Sequence, residues 1–257
     1  MIARGKSIFM AATMAIAGVS PSLAAEARHT SEYSINLGIL PIAKASFSTR
    51  MNGANYSISG SFSSAGLASI LADISGKTTI SGARRGHRLQ ANTYSLVYKD
   101  GKRVRTYDVV YRNGNVTSTT VKPEPKPRPD NWVNVKDGDL RSVLDPISGL
   151  IIPAGGRICP SRLPIYDGES RLDLVLSPGG TKPFKTNGFS GDAVVCKARY
   201  VPKSGYRQGR KDIEYLKSIS MEIWFAKSDN MDVYAPVYAI IPTRVGQVYI
   251  TATKYGG

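Results

Sequence analysis

Between residues 32 and 121 the chain alternates apolar and polar side chains with a period of two, and the runs are punctuated by Asn52-Gly53, Asp100-Gly101 and Asn113-Gly114. Alternation puts successive side chains on opposite faces of a strand. Asn-Gly and Asp-Gly supply the left-handed backbone that two-residue hairpin turns need. Together these signals constrain the fold to antiparallel strands joined by tight turns. Tyr33, Ile35, Leu37 and Ile39 form one row; Ala45, Phe47 and Thr49 form the next, followed by Tyr56, Ile58, Gly60 and Phe62. Tyr94, Leu96 and Tyr98, then Tyr107, Val109 and Tyr111, continue the meander. The pattern returns near the C-terminus, with Ile219, Met221, Ile223 and Phe225 inward and Trp224 on the other face, beneath a loop. Residues 234–241 and 245–253 complete the set, for about ten to twelve strands and no fixed-period repeat.

Two short stretches break the rhythm. Leu67, Ile70, Leu71 and Ile74 stand at helical spacing behind Ser63 or Ser64, which predicts a short amphipathic helix over residues 63–74. It would pack on one sheet face or act as a lid over a cavity. Leu140, Val143, Leu144 and Ile147 suggest helical pieces over 137–152, with Asp145 capping a new start at Pro146. Between the two halves, residues 121–129 read Val-Lys-Pro-Glu-Pro-Lys-Pro-Arg-Pro. Alternate prolines cannot join a ladder and favour an extended connection. Gly179-Gly180 and Gly188-Phe189-Ser190-Gly191 are expected loops, as is the basic stretch 203–211, while 171–176 and 194–200 are expected strands.

The N-terminus reads as an export signal. Arg4 and Lys6 precede an apolar core over residues 8–19, and Ser20-Pro21-Ser22-Leu23-Ala24 offers small residues for cleavage between Ala24 and Ala25. The core is too short to span a bilayer, and no cysteine follows it to accept a lipid. The expected mature chain is one domain over 25–257, in the periplasm, with no transmembrane segment. Losing Arg4 and Lys6 takes two from the net charge of +15 and leaves +13. A basic envelope protein attracts lipid head groups and other anionic envelope components; export argues against nucleic acid. Arg84, Arg85, Arg88, Lys99, Lys102, Arg103 and Arg105 concentrate this charge beside the tyrosines of the meander. Two readings remain open for them: a polar binding surface, or sheet edges protected against pairing.

Cys159 and Cys196 are the only cysteines. In an oxidising compartment two cysteines pair, and their spacing fits neither a redox motif nor a zinc knuckle. A structural disulfide is expected, pinning the mid-chain excursion to the sheet. Chemistry is otherwise scarce. His29 and His87 lie outside any Ser/His/Asp or metal-binding pattern and are expected to be solvated. Asp167 and Asp173 flank a strand as a possible carboxylate pair, but such pairs are commonplace. No nucleophile elbow, zinc motif, phosphate loop or dinucleotide fingerprint is present. No catalytic residue, cofactor or metal is therefore assigned.

Several motifs in order carry a family resemblance: the strands and helix over 33–74, Asp145-Pro146-Ile147-Ser148, Cys159, Leu163-Pro164-Ile165-Tyr166-Asp167-Gly168, Cys196, and Met221-Glu222-Ile223-Trp224 before the closing strands. In these the chain resembles the bacterial domain-of-unknown-function 3108 family of proteobacterial envelopes, in its cysteine-bearing alphaproteobacterial form. The resemblance carries over no catalytic residues. It implies a mainly β fold: a single curved antiparallel sheet, an open barrel or spiral like that of lipoprotein carriers, wrapped around one or two short helices. Export, the many strands, the amphipathic helix and the basic surface point to a non-enzymatic function: binding of a lipid, lipoprotein or other amphipathic ligand in a concave sheet face, contributing to envelope integrity. An interaction or scaffold protein using the basic surface is the alternative, and an unrecognised hydrolase a third.

Overall fold

A computed structural model describes residues 26–257, so the expected signal and its cleavage pair, Ala24 and Ala25, lie outside the described residues. The elements in chain order are β1 (Ala27–Leu37), β2 (Leu40–Asn52), β3 (Asn55–Ser64), α1 (Ala68–Leu71), β4 (Ile74–Arg85), β5 (Arg88–Asp100), β6 (Arg103–Arg112), β7 (Asn115–Lys122) and β8 (Trp132–Val133). They continue with β9 (Ile152–Pro153), β10 (Leu163–Tyr166), β11 (Arg171–Thr186), β12 (Phe189–Ser204), β13 (Tyr206–Arg207), α2 (Lys211–Ser218), β14 (Met221–Lys227), β15 (Val233–Thr243) and β16 (Gly246–Gly256). Fourteen strands form one sheet in the order β10-β11-β12-β14-β15-β16-β1-β2-β3-β4-β5-β6-β7, with β9 added beside β15. Its strand pairs are antiparallel. The curved antiparallel sheet expected from the sequence is what forms.

Strand pairing does not close the sheet, since β7 and β10 remain its edges. The segment between them seals the seam. Val143 N donates to Gly114 O at 2.8 Å, Leu144 N to Pro164 O at 2.8 Å, and Tyr166 N back to Leu144 O at 2.9 Å. Tyr111 Oη donates to Tyr166 O at 3.1 Å across the same gap. Alternation fills the lower end of the barrel, where β2–β3, β4–β5 and β6–β7 turn. Met51, Tyr56, Ile58, Ile80, Leu89, Tyr94, Val109 and Tyr111 are buried there against Val143 and Met231. A second cluster gathers Leu144, Leu163, Ile165, Leu176, Phe225 and the two cysteines. Cys159 and Cys196 are bonded, with Cα atoms 5.6 Å apart, and join the loop before β10 to the middle of β12.

Several local expectations are corrected. The helix over 63–74 shrinks to the single turn α1, because β3 and β4 pair as far up as Ser63↔Ser75 and consume both ends of the stretch. Leu67 and Ile70 are exposed, so these two side chains neither pack on the sheet nor cover a cavity. The helical pieces near Asp145 are two short 3-10 turns, Asp137–Leu140 and Ser148–Leu150. The glycines at 179–180 and 188–191 do not make long loops. Gly179-Gly180 forms an irregularity within β11, and Gly188 turns directly from β11 into β12. Gly188 has φ +83°, and a Cβ there would sit 2.7 Å from Tyr255 O, so only glycine fits. The tip of this hairpin folds onto β16: Thr186 Oγ1 donates to Ala252 O at 2.8 Å and Tyr255 N to Asn187 O at 2.8 Å. Trp224 lies in this region, 4.7 Å from the Tyr238 ring and edge-on to Phe184, which belongs to β11 rather than a loop. The basic stretch 203–211 holds β13, paired with β8, and leads into α2, an unexpected helix that delays the following strand to Met221. The proline segment stays extended, with Arg128 bonded to Glu169 at 2.6 Å and stacked over Trp132 at 4.1 Å.

Candidate functional site

The inward rows do not fill the barrel's upper half. Where the lower rows carry Tyr, Ile and Leu, the upper ones carry Ala45, Ala235 and Ala239, and the space they leave is a cavity of about 580 Å³. Its wall is apolar: Ile35, Phe47, Phe62, Leu172, Ile223 and Ile250 come from strands all around the sheet. Ile147, Leu150 and Ile151 enter from the segment that seals the seam, and Leu216 from α2. Pockets of this size and character accommodate small apolar or amphipathic molecules. A wider recess of about 990 Å³ shares Tyr33, Ala45 and Phe62 with the cavity and reaches Pro41, Ala65, Val97 and Val104. The recess lies toward the upper end, where β1–β2, β3–β4, β5–β6 and β15–β16 connect, and much of its lining is the outward-facing row of Glu32, Lys44, Ser46, Ser61, Lys77 and Val97.

The few polar groups around the cavity are held by the protein itself. Asp145 is fully buried; its Oδ1 accepts from Ile147 N at 3.0 Å and Ser148 N at 2.8 Å, and its Oδ2 accepts from Ser148 Oγ. Tyr56 Oη donates to the same Ser148 Oγ at 2.9 Å. Burial pushes the Asp145 carboxyl above the usual carboxylate range. The cap expected at Asp145 thus exists, and its product is a buried turn that seats Ile147 and Leu150 in the cavity wall. Asp167 Oδ1 accepts from Glu169 N at 2.9 Å and Ser170 N at 2.6 Å, and burial raises its pKa as well.

Asp173 has a different environment. Burial works to raise its pKa, but hydrogen bonds from Arg171 and Arg162 hold it below the usual range. The Arg171 contact is 2.8 Å long between two buried side chains. Asp167 organises a turn and Asp173 neutralises an arginine, so the two do not act as an acid–base pair. His87 is exposed as expected, but His29 is not: it is buried, 3.2 Å by Nδ1 from Ser228 Oγ and edge-on to Tyr255. Desolvation lowers its pKa, opposed by the charge of Asp229. Inward placement at a period-two position was the available signal, since His29 precedes Ser31 and Tyr33 on the same face. Among the described residues no group of three or more His, Cys, Asp or Glu side chains is placed to hold a metal, and no helix is long and apolar enough to cross a membrane.

The basic residues of the meander separate into two groups. Arg84, Arg85 and Arg88 flank the lower β4–β5 turn, where Arg84 lies 3.8 Å from Asp232. Lys99, Lys102, Arg103 and Arg105 surround the upper β5–β6 turn, where Lys99 pairs with Asp73 at 3.0 Å.

A comparison with curated proteins finds no match. Among solved structures, the chain is similar to a β-barrel-like protein of the domain of unknown function DUF1849 from Brucella abortus, at 9% identity and TM-score 0.51, covering 89% of this chain and 96% of that one. That likeness concerns the fold alone. A candidate lipoprotein from Parabacteroides distasonis aligns over 88% of this chain and 94% of its own, at 9% identity and TM-score 0.30. The model of the proteins of unknown function DUF3108 matches residues 32–253, and the chain belongs to that family.

Proposed function

We propose that this is an exported, non-enzymatic envelope protein that holds an amphipathic ligand, a lipid or the acyl portion of a lipoprotein, inside its curved sheet. The observation that carries this reading is the apolar cavity of about 580 Å³, walled by strands from both halves of the sheet. An acyl chain gains free energy in proportion to the apolar area it removes from water, and the wall offers it little to compete for hydrogen bonds. The bound Asp145 and Asp167 carboxyls and the ion-paired Asp173 supply no free acid or nucleophile, which supports a binding role over hydrolysis.

The test is titration with a fluorescent fatty-acid analogue followed by displacement with palmitate, using wild type and the cavity-filling double variant Ala45→Phe/Ala239→Phe. Saturable binding in the wild type that is lost in the folded variant is expected. Undiminished binding in the filled variant, or no saturable binding in protein stripped of lipid, would reject the proposal.

A further inference from the structure

Three connections at the upper end carry strongly exposed hydrophobics. Ile39 in the β1–β2 turn is 95% exposed, Ile70 and Leu67 in the β3–β4 connection 80% and 69%, and Val245 in the β15–β16 turn 78%. Leu40 at 53% and Val104 at 50% extend the set along β2 and β6. Turns normally carry polar residues, and solitary exposed hydrophobics need no explanation. Here, however, the strand order places β15, β16, β1, β2, β3, β4, β5 and β6 side by side, so these tips line one continuous rim. Backbone bonds hold neighbouring tips in step: Gly38 N to Gln247 O at 2.8 Å, Ala65 N to Ile42 O at 3.0 Å, and Gly101 N to Asp73 O at 2.9 Å. The opposite rim, at the β2–β3, β4–β5 and β6–β7 turns, has no such residue among the exposed large hydrophobics.

Charge follows the same edge. Lys44, Lys77, Lys99, Lys102, Arg103, Arg105 and Arg244 are exposed along it, and the acidic residues among them are Glu32, Asp73, paired with Lys99, and Asp100. A protein partner would require one shaped apolar patch, whereas separate apolar tips in a ring of cations suit a deformable anionic interface. Shallow insertion of apolar side chains, together with attraction of Lys and Arg to acidic head groups, is how peripheral proteins hold a bilayer surface.

We propose that this rim docks on the surface of an anionic lipid bilayer, with Ile39, Leu67, Ile70 and Val245 entering the interface and the surrounding cations contacting head groups. The docking claim itself does not depend on what the cavity holds.

The experiment is co-flotation of the mature chain with vesicles of phosphatidylethanolamine and phosphatidylglycerol, compared with phosphatidylcholine vesicles. Wild type should float with the acidic vesicles and be released by high salt. Ile39→Asp/Ile70→Asp/Val245→Asp should weaken this partition about tenfold or more, and Lys102→Glu/Arg103→Glu should weaken it with a reduced salt dependence. Both variants change exposed positions, and an unaltered melting curve confirms that they fold. The cavity-filled double variant should still float, which separates this proposal from the ligand reading. Absence of wild-type flotation, equal partition onto both vesicle types, or undiminished flotation of the aspartate variant would overturn the proposal. So would self-association by light scattering that the aspartate variant abolishes while flotation persists, since the rim would then be an interface between copies.

Discussion

Replacing Asp145 with alanine should cost much of this protein's stability, although Asp145 makes no contact with a charged partner. Its Oδ1 is the acceptor for two backbone donors, Ile147 N and Ser148 N, and its Oδ2 accepts from a hydroxyl that also accepts from Tyr56. The site is closed to water, so alanine leaves both amides unpaired, at about 1–3 kcal/mol each. Relief of a desolvated carboxyl offsets part of this, leaving a net loss of about 2–4 kcal/mol. In a chain of this size that corresponds to roughly 4–16 °C in melting temperature.

Asp145→Asn keeps the Oδ1 acceptor and disturbs only the Ser148 hydroxyl, so it should cost about 1 kcal/mol. The two variants also separate by pH. The folded carboxyl titrates above its unfolded value, so the folded state holds the extra proton, and wild type loses stability as pH rises through the folded pKa. The deficit of Asp145→Asn relative to wild type should therefore be largest in acid and shrink toward neutrality. Urea melts at several pH values measure this. An alanine variant within 0.5 kcal/mol (about the scatter of surface substitutions) would refute the assigned role, and an asparagine deficit that grows with pH would refute the sign.

Other outcomes follow from the remaining buried groups. Cys159→Ser/Cys196→Ser should lose about 4 kcal/mol, from a separation of 37 residues and the chain-entropy model, while unreduced, denatured wild type should titrate no free thiols; two free thiols would show the pair unbonded in solution. The pKa of His29 is lowered by burial, so the unfolded state binds its proton first, and stability should fall as pH drops below about 6.5. His29→Gln should flatten that fall in thermal melts, and an unchanged slope would assign it to other groups.

The strand content was legible because alternation and turn chemistry agree, although hairpin geometry moved two turns by one residue. Asn52 pairs with Asn55 and Asp100 with Arg103, so Gly53 and Gly101 open the loops, whereas Asn113-Gly114 is itself the loop. The helix over 63–74 failed for a physical reason. Helical spacing among four apolar residues says nothing about whether a partner surface exists, and extended pairing of β3 with β4 consumed the segment that would have formed it. The length of β11 and β12 was hidden by Pro178, Gly179 and Gly180, which break the pattern locally while the ladder resumes at Thr181↔Val194. The cavity was legible only as a concave face, because its volume depends on which inward rows oppose one another, as with Ala45 and Ala239, and register across the seam is not a local property. The upper rim was the least visible. Ile39 and Val245 each looked like the end of a strand and Ile70 like part of a helix face, and only the strand order collects them on one edge.

The pairing of β1 with β16, in which Thr30 faces Gly256 and Leu37 faces Val248, governs how this protein comes into being. A ribosome delivers β1 well before β16, so in the interval the first strand has a raw edge and the cavity has no complete wall. A fragment that ends before β16 lacks part of the cavity wall, Ile250. Native pairing of β1 waits for β16, and contacts this distant along the chain make for slow folding. A nascent molecule must therefore spend that interval with an unpaired strand edge available to other chains, which makes it a natural client for a holding chaperone and makes premature truncation an aggregation lesion rather than a partial loss of function.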